Sequence, residues 1–281
     1  MSVIGEPLKF DRMQARPGKV TLVGAGPGDP ELLTLKALRA LQAASLVLYD
    51  ALVGEEVLAL IPPGADRIDV GKRAGHHSLS QTAICALMLR LAGSGRPLLR
   101  LKGGDPYIFG RGGEEVQALA RAGIPFEVVP GISAAQGAAA MAGMPLTHRD
   151  HASAVVLATG HLRSERCGSD GEAAVDLDWD RLARPQQTVV IYMGIGALPV
   201  ICRELVAHGL PADTPAATVE RATRADQRTV SGTLATLPGL ARAHAVQAPA
   251  LIIVGGVVSL RAELATEATL VSGRPALRRV G

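Results

Sequence analysis

From Lys19 onward the chain alternates short apolar runs with segments of helical spacing, and this alternation constrains the fold more than any other feature. KVTLVGAGPGD runs a buried-type strand into a Gly/Pro turn. TLKALRALQAA follows with helical spacing that predicts Leu35, Leu38 and Leu41 on one side. SLVLYD at 45–50 and RIDVG at 67–71 read as the second and third strands. SLSQTAICALMLRLAGSG opens on Ser78 or Ser80 as an N-cap and ends in glycines, the pattern of a long amphipathic helix. PLLRLKGGD is a fourth strand, EEVQALARAG a helix, PFEVVPG a fifth strand and SAAQGAAAMAG a helix of small residues. Strands separated by helices imply a parallel α/β sheet.

After Pro145 the signal restarts. SAVVLATGH at 153–161 is a strand, and 162–187 is a polar insert, rich in acids and glycine, that carries the only Trp. TVVIYMG at 188–194 is a strand and ALPVICRELVAHG a helix. TPAATVERATRADQ holds a strand with a polar end, RTVSGTLATLPGLARAH passes from strand to helix, and PALIIVGGVV is expected to close a second sheet. The expectation is two α/β domains, 18–147 and 148–262, between a flexible arm at 1–17 and a tail at 263–281. Hydrophobic residues make up 48% of the chain but aromatics only 2%, so the core is built from Ala, Val, Leu and Ile. That suits helices packed on a buried parallel sheet.

Several classes of function are disfavoured. No apolar run approaches the roughly 20 residues that span a bilayer. The first residues, MSVIGEPLKFDRMQARPGK, mix acids with bases and lack an apolar stretch, unlike a signal peptide. Three cysteines, Cys85, Cys167 and Cys202, cannot all pair and show no CxxC spacing, which predicts reduced thiols in a cytoplasmic protein. Cys85 and Cys202 fall in apolar helical patterns and are expected in the core. A net charge of +3 without a basic stripe argues against nucleic acid.

GAGPGD at 24–29 invites comparison with the dinucleotide fingerprint, which needs Gly at its first, third and sixth positions. Those positions hold Gly24, Gly26 and Asp29, and Pro27 and Pro30 stand where the helix should begin. Asp50 fits only loosely the acid expected for a ribose. A nicotinamide oxidoreductase therefore remains an alternative on weak grounds. The glycines read better as sites where a ligand or a neighbouring loop lies against the backbone. LKGGDPYIFGRGGEE at 101–115 packs five glycines between a strand and a helix, where loops ordinarily run about 2–6 residues. Two such loops in one α/β domain point to the crevice beyond the carboxyl ends of the strands. Other strand ends carry YD, GKRAGHH, PGISA, TGH and YMG, and four of the seven aromatics (Tyr49, Tyr107, Phe109 and Tyr192) fall in these short stretches. They suit a flat or apolar ligand edge.

Taken together, VTLVGAGPGDPELLTLKALRAL, LVLYDALV, VGKRAGHHSLSQ, LKGGDPYIFGRGGEE, VVPGISAA, PLTHRD, ATGH and YMG resemble the uroporphyrinogen-III C-methyltransferases of the tetrapyrrole methylase family, the class III S-adenosylmethionine (SAM) methyltransferases. The resemblance covers about 19–260, in family order. It implies a stand-alone form without the dehydrogenase–ferrochelatase module of sirohaem synthases, and the insert at 162–187 resembles versions used for haem d1. It implies two αβα domains with largely parallel or mixed sheets, an active site in the inter-domain cleft and a homodimer. It implies SAM contacts at Pro27, Gly103, Gly104, Asp105 and Ile108. Ser133, Ala134, Met193 and Ala222 complete them, with Ser and Ala standing where many relatives have Thr and Gly.

The implied reaction moves methyl groups from two SAM molecules to two pyrrole carbons of uroporphyrinogen III, giving precorrin-2 and two S-adenosylhomocysteines (SAH). An electron-rich pyrrole carbon attacks an activated sulfonium methyl, so alignment dominates, and a positioned base helps the departing proton. The resemblance makes Asp50 the base and Lys72 the proton donor. Read without it, Asp50 is a turn cap and Lys72 a solvated charge. A substrate with eight carboxylates calls for cations. Arg111, Arg149 and His161 are the leading candidates, with Arg73, His76, His77, His148 and His151 beside them. Glu114 could pair Arg111, accept a pyrrole N–H or act as the base. Glu115 reads as a plain helix N-terminal acid. His148, His151 and His161 fit metal-ligand spacing poorly, and no metal is expected. A methyltransferase for a later corrin precursor and a non-catalytic SAM or tetrapyrrole binder are the remaining alternatives.

Overall fold

The computed structural model describes residues 16–71, 79–161 and 175–264. In the first unit the elements run β1 (Val20–Gly24), α1 (Leu35–Gln42), β2 (Leu46–Tyr49), α2 (Glu55–Leu58), β3 (Asp66–Asp69), α3 (Gln81–Gly93), β4 (Leu98–Lys102), α4 (Gly112–Arg121) and β5 (Phe126–Val129). The strands lie in the order β3-β2-β4-β1-β5 and every pairing is parallel. All five carboxyl ends therefore open on one edge. Leu98 faces the side covered by α3 and α4, where Ile84, Met88 and Leu119 are buried. Leu99 and Leu101 face the opposite side, against Leu41, Val57 and Ile61. Sheet and two helical layers make the expected sandwich.

The remaining elements are α5 (Ala134–Met141), β6 (Ala154–Thr159), α6 (Trp179–Leu182), β7 (Gln187–Tyr192), α7 (Leu198–Ala207), β8 (Pro215–Glu220), β9 (Arg228–Thr233), α8 (Leu237–Ala243), β10 (Ala250–Val254) and α9 (Leu260–Leu264). They build a second five-stranded sheet in the order β6-β7-β10-β8-β9. Only β6 and β7 pair in parallel; the other three pairings are antiparallel. The α/β class with one parallel and one mixed sheet is as the sequence implied.

Local expectations fared unevenly. Ser80 caps α3 through the Ala83 amide. In α1, however, Leu35 is 70% exposed and the buried positions are Ala37 and Leu41. PALIIVGGVV does not close the second sheet: β10 is its central strand. The described part of the polar insert contributes to the second core, where Val175, Leu182 and Ala183 are buried. Cys202 is buried, and burial pushes its thiol up to about 12, whereas Cys85 is only half-buried. Helix α5, N-terminal to residue 147, packs Ala135, Ala138 and Ala142 on Val190, Val219 and Ile253 of the second sheet. Among the described residues, no helix is long and apolar enough to cross a membrane. Lys72, Arg73, His76, His77, Cys167 and nearly all of the arm and tail lie outside the described residues.

Candidate functional site

The glycines at the first sheet's carboxyl edge are needed chiefly by one another. Gly26 and Gly104 form an antiparallel bridge, with Gly104 N donating to Gly26 O at 2.7 Å and Gly26 N to Gly104 O at 3.2 Å. A Cβ on Gly24 would meet Gly131 N at 2.5 Å and Gly104 O at 2.7 Å. Three loops, after β1, β4 and β5, thus lock backbone to backbone. Asp105 fastens the lock: its Oδ2 accepts from Gly131 N at 3.0 Å and its Oδ1 from Tyr107 N at 2.8 Å. Of the two readings of these glycines, close approach by a neighbouring loop describes Gly24, Gly26, Gly104 and Gly131. A Cβ on Gly103 would press on Leu52 Cβ at 2.9 Å, so that loop is also flush with the one after β2.

The second sheet brings its own strand ends to the same edge. Tyr192, at the end of β7, accepts a 2.9 Å hydrogen bond on its hydroxyl from Ala135 N, at the start of α5. Its ring stands 4.8 Å from Phe109 of the long glycine loop, centroid to centroid. Burial pushes the Tyr192 hydroxyl up, partly offset by Ala135 N and Ser133, which keeps it a neutral phenol. Beyond β8, Thr223 Oγ1 accepts from Asp29 N at 3.0 Å, and Arg224 donates to Leu52 O at 2.9 Å. A Cβ on Gly137 would meet Pro27 Cγ at 2.5 Å and Thr223 Cγ2 at 2.9 Å. Both sheets therefore turn strand ends toward one shared cleft. Phe109, Arg111, Met193, Arg221 and Thr223 around it hold positive φ without being glycine, a strain found where a site over-determines its backbone.

Most of the expected SAM contacts meet here. Pro27, Gly104, Asp105, Ser133 and Ala134 adjoin through the contacts above, and a Cβ on Gly104 would lie 3.6 Å from Ala134 N. Met193 follows Tyr192 and is 53% exposed. Ala222 O lies 3.3 Å from a Cβ built on Gly28. Ser133 caps α5 in a full capping box with Gln136, so its hydroxyl is already engaged. His161 follows β6, whose last residue, Thr159, is in register with Tyr192, and so falls at the same edge. Arg149 does not. Its turn, bridged between His148 and Ala152, precedes β6, a strand of six residues, hence about 20 Å from the cleft at ~3.3 Å per residue. The rings of His148 and His151 lie against each other there, centroids 4.9 Å apart and planes tilted by 48°.

Arg111 makes a two-point ion pair with Glu114, Nε to Oε1 and Nη2 to Oε2, both 2.7 Å. The hydrogen bond pushes the arginine up and the glutamate down. Of the three roles open to Glu114, pairing Arg111 is the one the geometry supplies.

Below the cleft lies a cluster that sequence reasoning missed. Arg100 and Lys102, two apart on β4, face the α3/α4 side and are 1% and 2% exposed. Arg100 Nη2 donates to Asp50 Oδ1 at 2.5 Å and to Glu115 Oε1 at 3.0 Å. Lys102 Nζ donates to Glu115 Oε1 at 2.9 Å and stands 3.4 Å from Asp50 Oδ2. Gln81 adds a 3.2 Å bond to Glu115 Oε1. Glu115 is fully buried and so is no plain helix-end acid. Burial alone would lower the Arg100 guanidinium, but Asp50 and Glu115 raise it overall. The legible signal was two cations alternating in an otherwise apolar central strand, which must find buried acids.

The cleft offers an adenosyl cofactor a suitable setting: loop backbone at Gly103–Asp105 and half-exposed apolar side chains at Ile108, Leu52 and Met193. Among the described residues no group of three or more His, Cys, Asp or Glu could hold a metal.

Comparison with known proteins identifies the family. A family model described as tetrapyrrole (corrin/porphyrin) methylases matches residues 19–238. A sirohaem synthase from Methylobacillus flagellatus is 55% identical over 248 residues, 88% of this chain and 51% of that protein. The chain thus spans about half the length of the curated relatives it matches. A uroporphyrin-III C-methyltransferase from Thermus thermophilus, solved with S-adenosylhomocysteine, is 43% identical with a TM-score of 0.71, covering 86% of this chain and 100% of that one. A cobalt-precorrin-4 methyltransferase of cobalamin biosynthesis is 30% identical with a TM-score of 0.73, covering 85% of this chain and 95% of that one.

Proposed function

This chain belongs to the tetrapyrrole methylase family, and from that premise we propose that it methylates uroporphyrinogen III at two pyrrole carbons, C-2 and C-7, using SAM. The products are precorrin-2 and two SAH. The observation that carries the reading is the meeting of the 103–105 turn, the start of α5 and the β7 end at one cleft, tied by Tyr192 to Ala135 N and Phe109. A relative of the same fold, solved with SAH, supports the cofactor.

When bound, SAM supplies an activated methyl on a positive sulfur. The chain's task is to hold a pyrrole carbon in line with it, since alignment supplies most of the rate. The loops after β1, β4 and β5 are backbone-locked, so they form a rigid wall rather than a closing lid. Asp50, at the end of β2 with its side chain 26% exposed, takes the proton that leaves the methylated ring. Arg111, with half its side chain exposed, and His161 receive substrate carboxylates. Glu114 fixes the Arg111 guanidinium by its Nε/Nη2 edge, leaving Nη1 for a substrate carboxylate. Lys72 is the proposed proton donor; Arg149, at the far end of β6, takes no part.

Purified protein given SAM and anaerobically prepared uroporphyrinogen III should release SAH and a dimethylated product. Absence of SAH would remove the reading. The likeness to a cobalt-precorrin-4 methyltransferase favours a second reading, action on a later corrin precursor; consumption of that precursor in place of uroporphyrinogen III would establish it.

A further inference from the structure

We propose that Glu115 is a positioning residue for Asp50, acting through Arg100 and Lys102; the inference rests on the reading of Asp50 as the base. Three observations carry it. Glu115 is fully buried and its Oε1 collects donors from three side chains on two elements: Gln81 of α3, and Arg100 and Lys102 of β4. Its Oε2 has no hydrogen-bond partner among the described residues. Asp50 is the one acid of the cluster that reaches the cleft, and each of its oxygens faces one of the same two cations.

A charge balance follows. Two cations stand between two acids, one fully buried and one at the surface of the cleft. Buried cations must be neutralised close by, and if Glu115 is made neutral, only Asp50 remains to do it. Arg100 is also left with at most a neutral amide oxygen, a weaker acceptor than the carboxylate that holds its Nε and Nη2 at 3.2 and 3.0 Å. Both effects move Asp50: the guanidinium that fixes it is loosened, and two unbalanced cations draw it inward. Glu115 therefore keeps Arg100 and Lys102 partly satisfied so that Asp50 stays at the cleft. It touches no substrate. Arg100 can act as a two-sided bridge because its planar fork serves both acids at once.

The test is a double-mutant cycle of Glu115→Gln and Asp50→Asn, with kcat read on uroporphyrinogen III and SAM and affinity read with SAH alone. Glu115→Gln is expected to lower kcat roughly tenfold to a hundredfold, the scale of a base displaced by about an ångström, while SAH affinity stays within about twofold. The double variant should be no slower than Asp50→Asn alone, because a positioning residue has nothing left to position. A Glu115→Gln kcat within about twofold of wild type, or losses that multiply, overturns the inference while a dead Asp50→Asn still upholds the reading of Asp50. Full turnover in Asp50→Asn overturns both. Glu115→Gln/Lys102→Met removes one charge of each sign and guards against a fold too unbalanced to purify. It should melt above Glu115→Gln and remain slow, and full kcat in that variant also overturns the inference.

Discussion

Arg111 sits at φ 57°, a conformation that costs a non-glycine residue about 1–2 kcal/mol, and its guanidinium is nevertheless turned to Glu114. A residue kept in that state is better explained by use than by stability. Arg111→Gly removes the side chain at a position glycine favours, so its melting temperature should not fall below wild type by differential scanning calorimetry. Its KM for uroporphyrinogen III should still rise about tenfold or more, since a charge-assisted contact is worth roughly 1.5–3 kcal/mol. An unchanged KM would take Arg111 out of the site. Arg111 and Glu114 drew notice in the sequence as a cation and an acid at the end of a glycine loop, and the structure pairs them. Glu115 was not legible, because an acid in the first helical turn already has a sufficient local reason. Its burial depends on Arg100 and Lys102, cations one strand away.

At the level of elements, α5 is the hinge pin between the two sheets. Its small residues let it enter a gap that Pro27 and Thr223 leave, and Gly137 is the tightest point. Gly137→Ala should destabilise by about 1–3 kcal/mol through overpacking and weaken SAH binding, because it parts the GAGPG loop from the 221–224 loop. Gly113→Ala, with nothing within 4 Å of its Cβ, should change stability by no more than about 0.5 kcal/mol. Chemical denaturation of both variants checks the contrast. Equal stabilities would deny α5 this role. The elements themselves were largely legible: apolar runs gave the strands and Ser80 gave the start of α3. Strand order was not, since nothing local distinguishes the central β10 from an edge strand. Helix α6 was hidden because Val175, Leu177 and Trp179 alternate with Asp176, Asp178 and Asp180, a period of two that does not signal a helix.

Across the whole molecule, two sheets with separate cores face each other by their strand ends, joined by α5, the Tyr192 contacts and the Asp29–Thr223 and Arg224–Leu52 hydrogen bonds. The parallel sheet puts every carboxyl end on the cleft; the mixed sheet contributes the ends of β6, β7 and β8. The central claim is that one adenosyl cofactor touches both. A crystal structure of the protein with SAH tests it most directly. Density is expected between Gly103–Asp105 on one side and Met193 on the other. Density held by one sheet alone, or lodged away from this cleft, would contradict it.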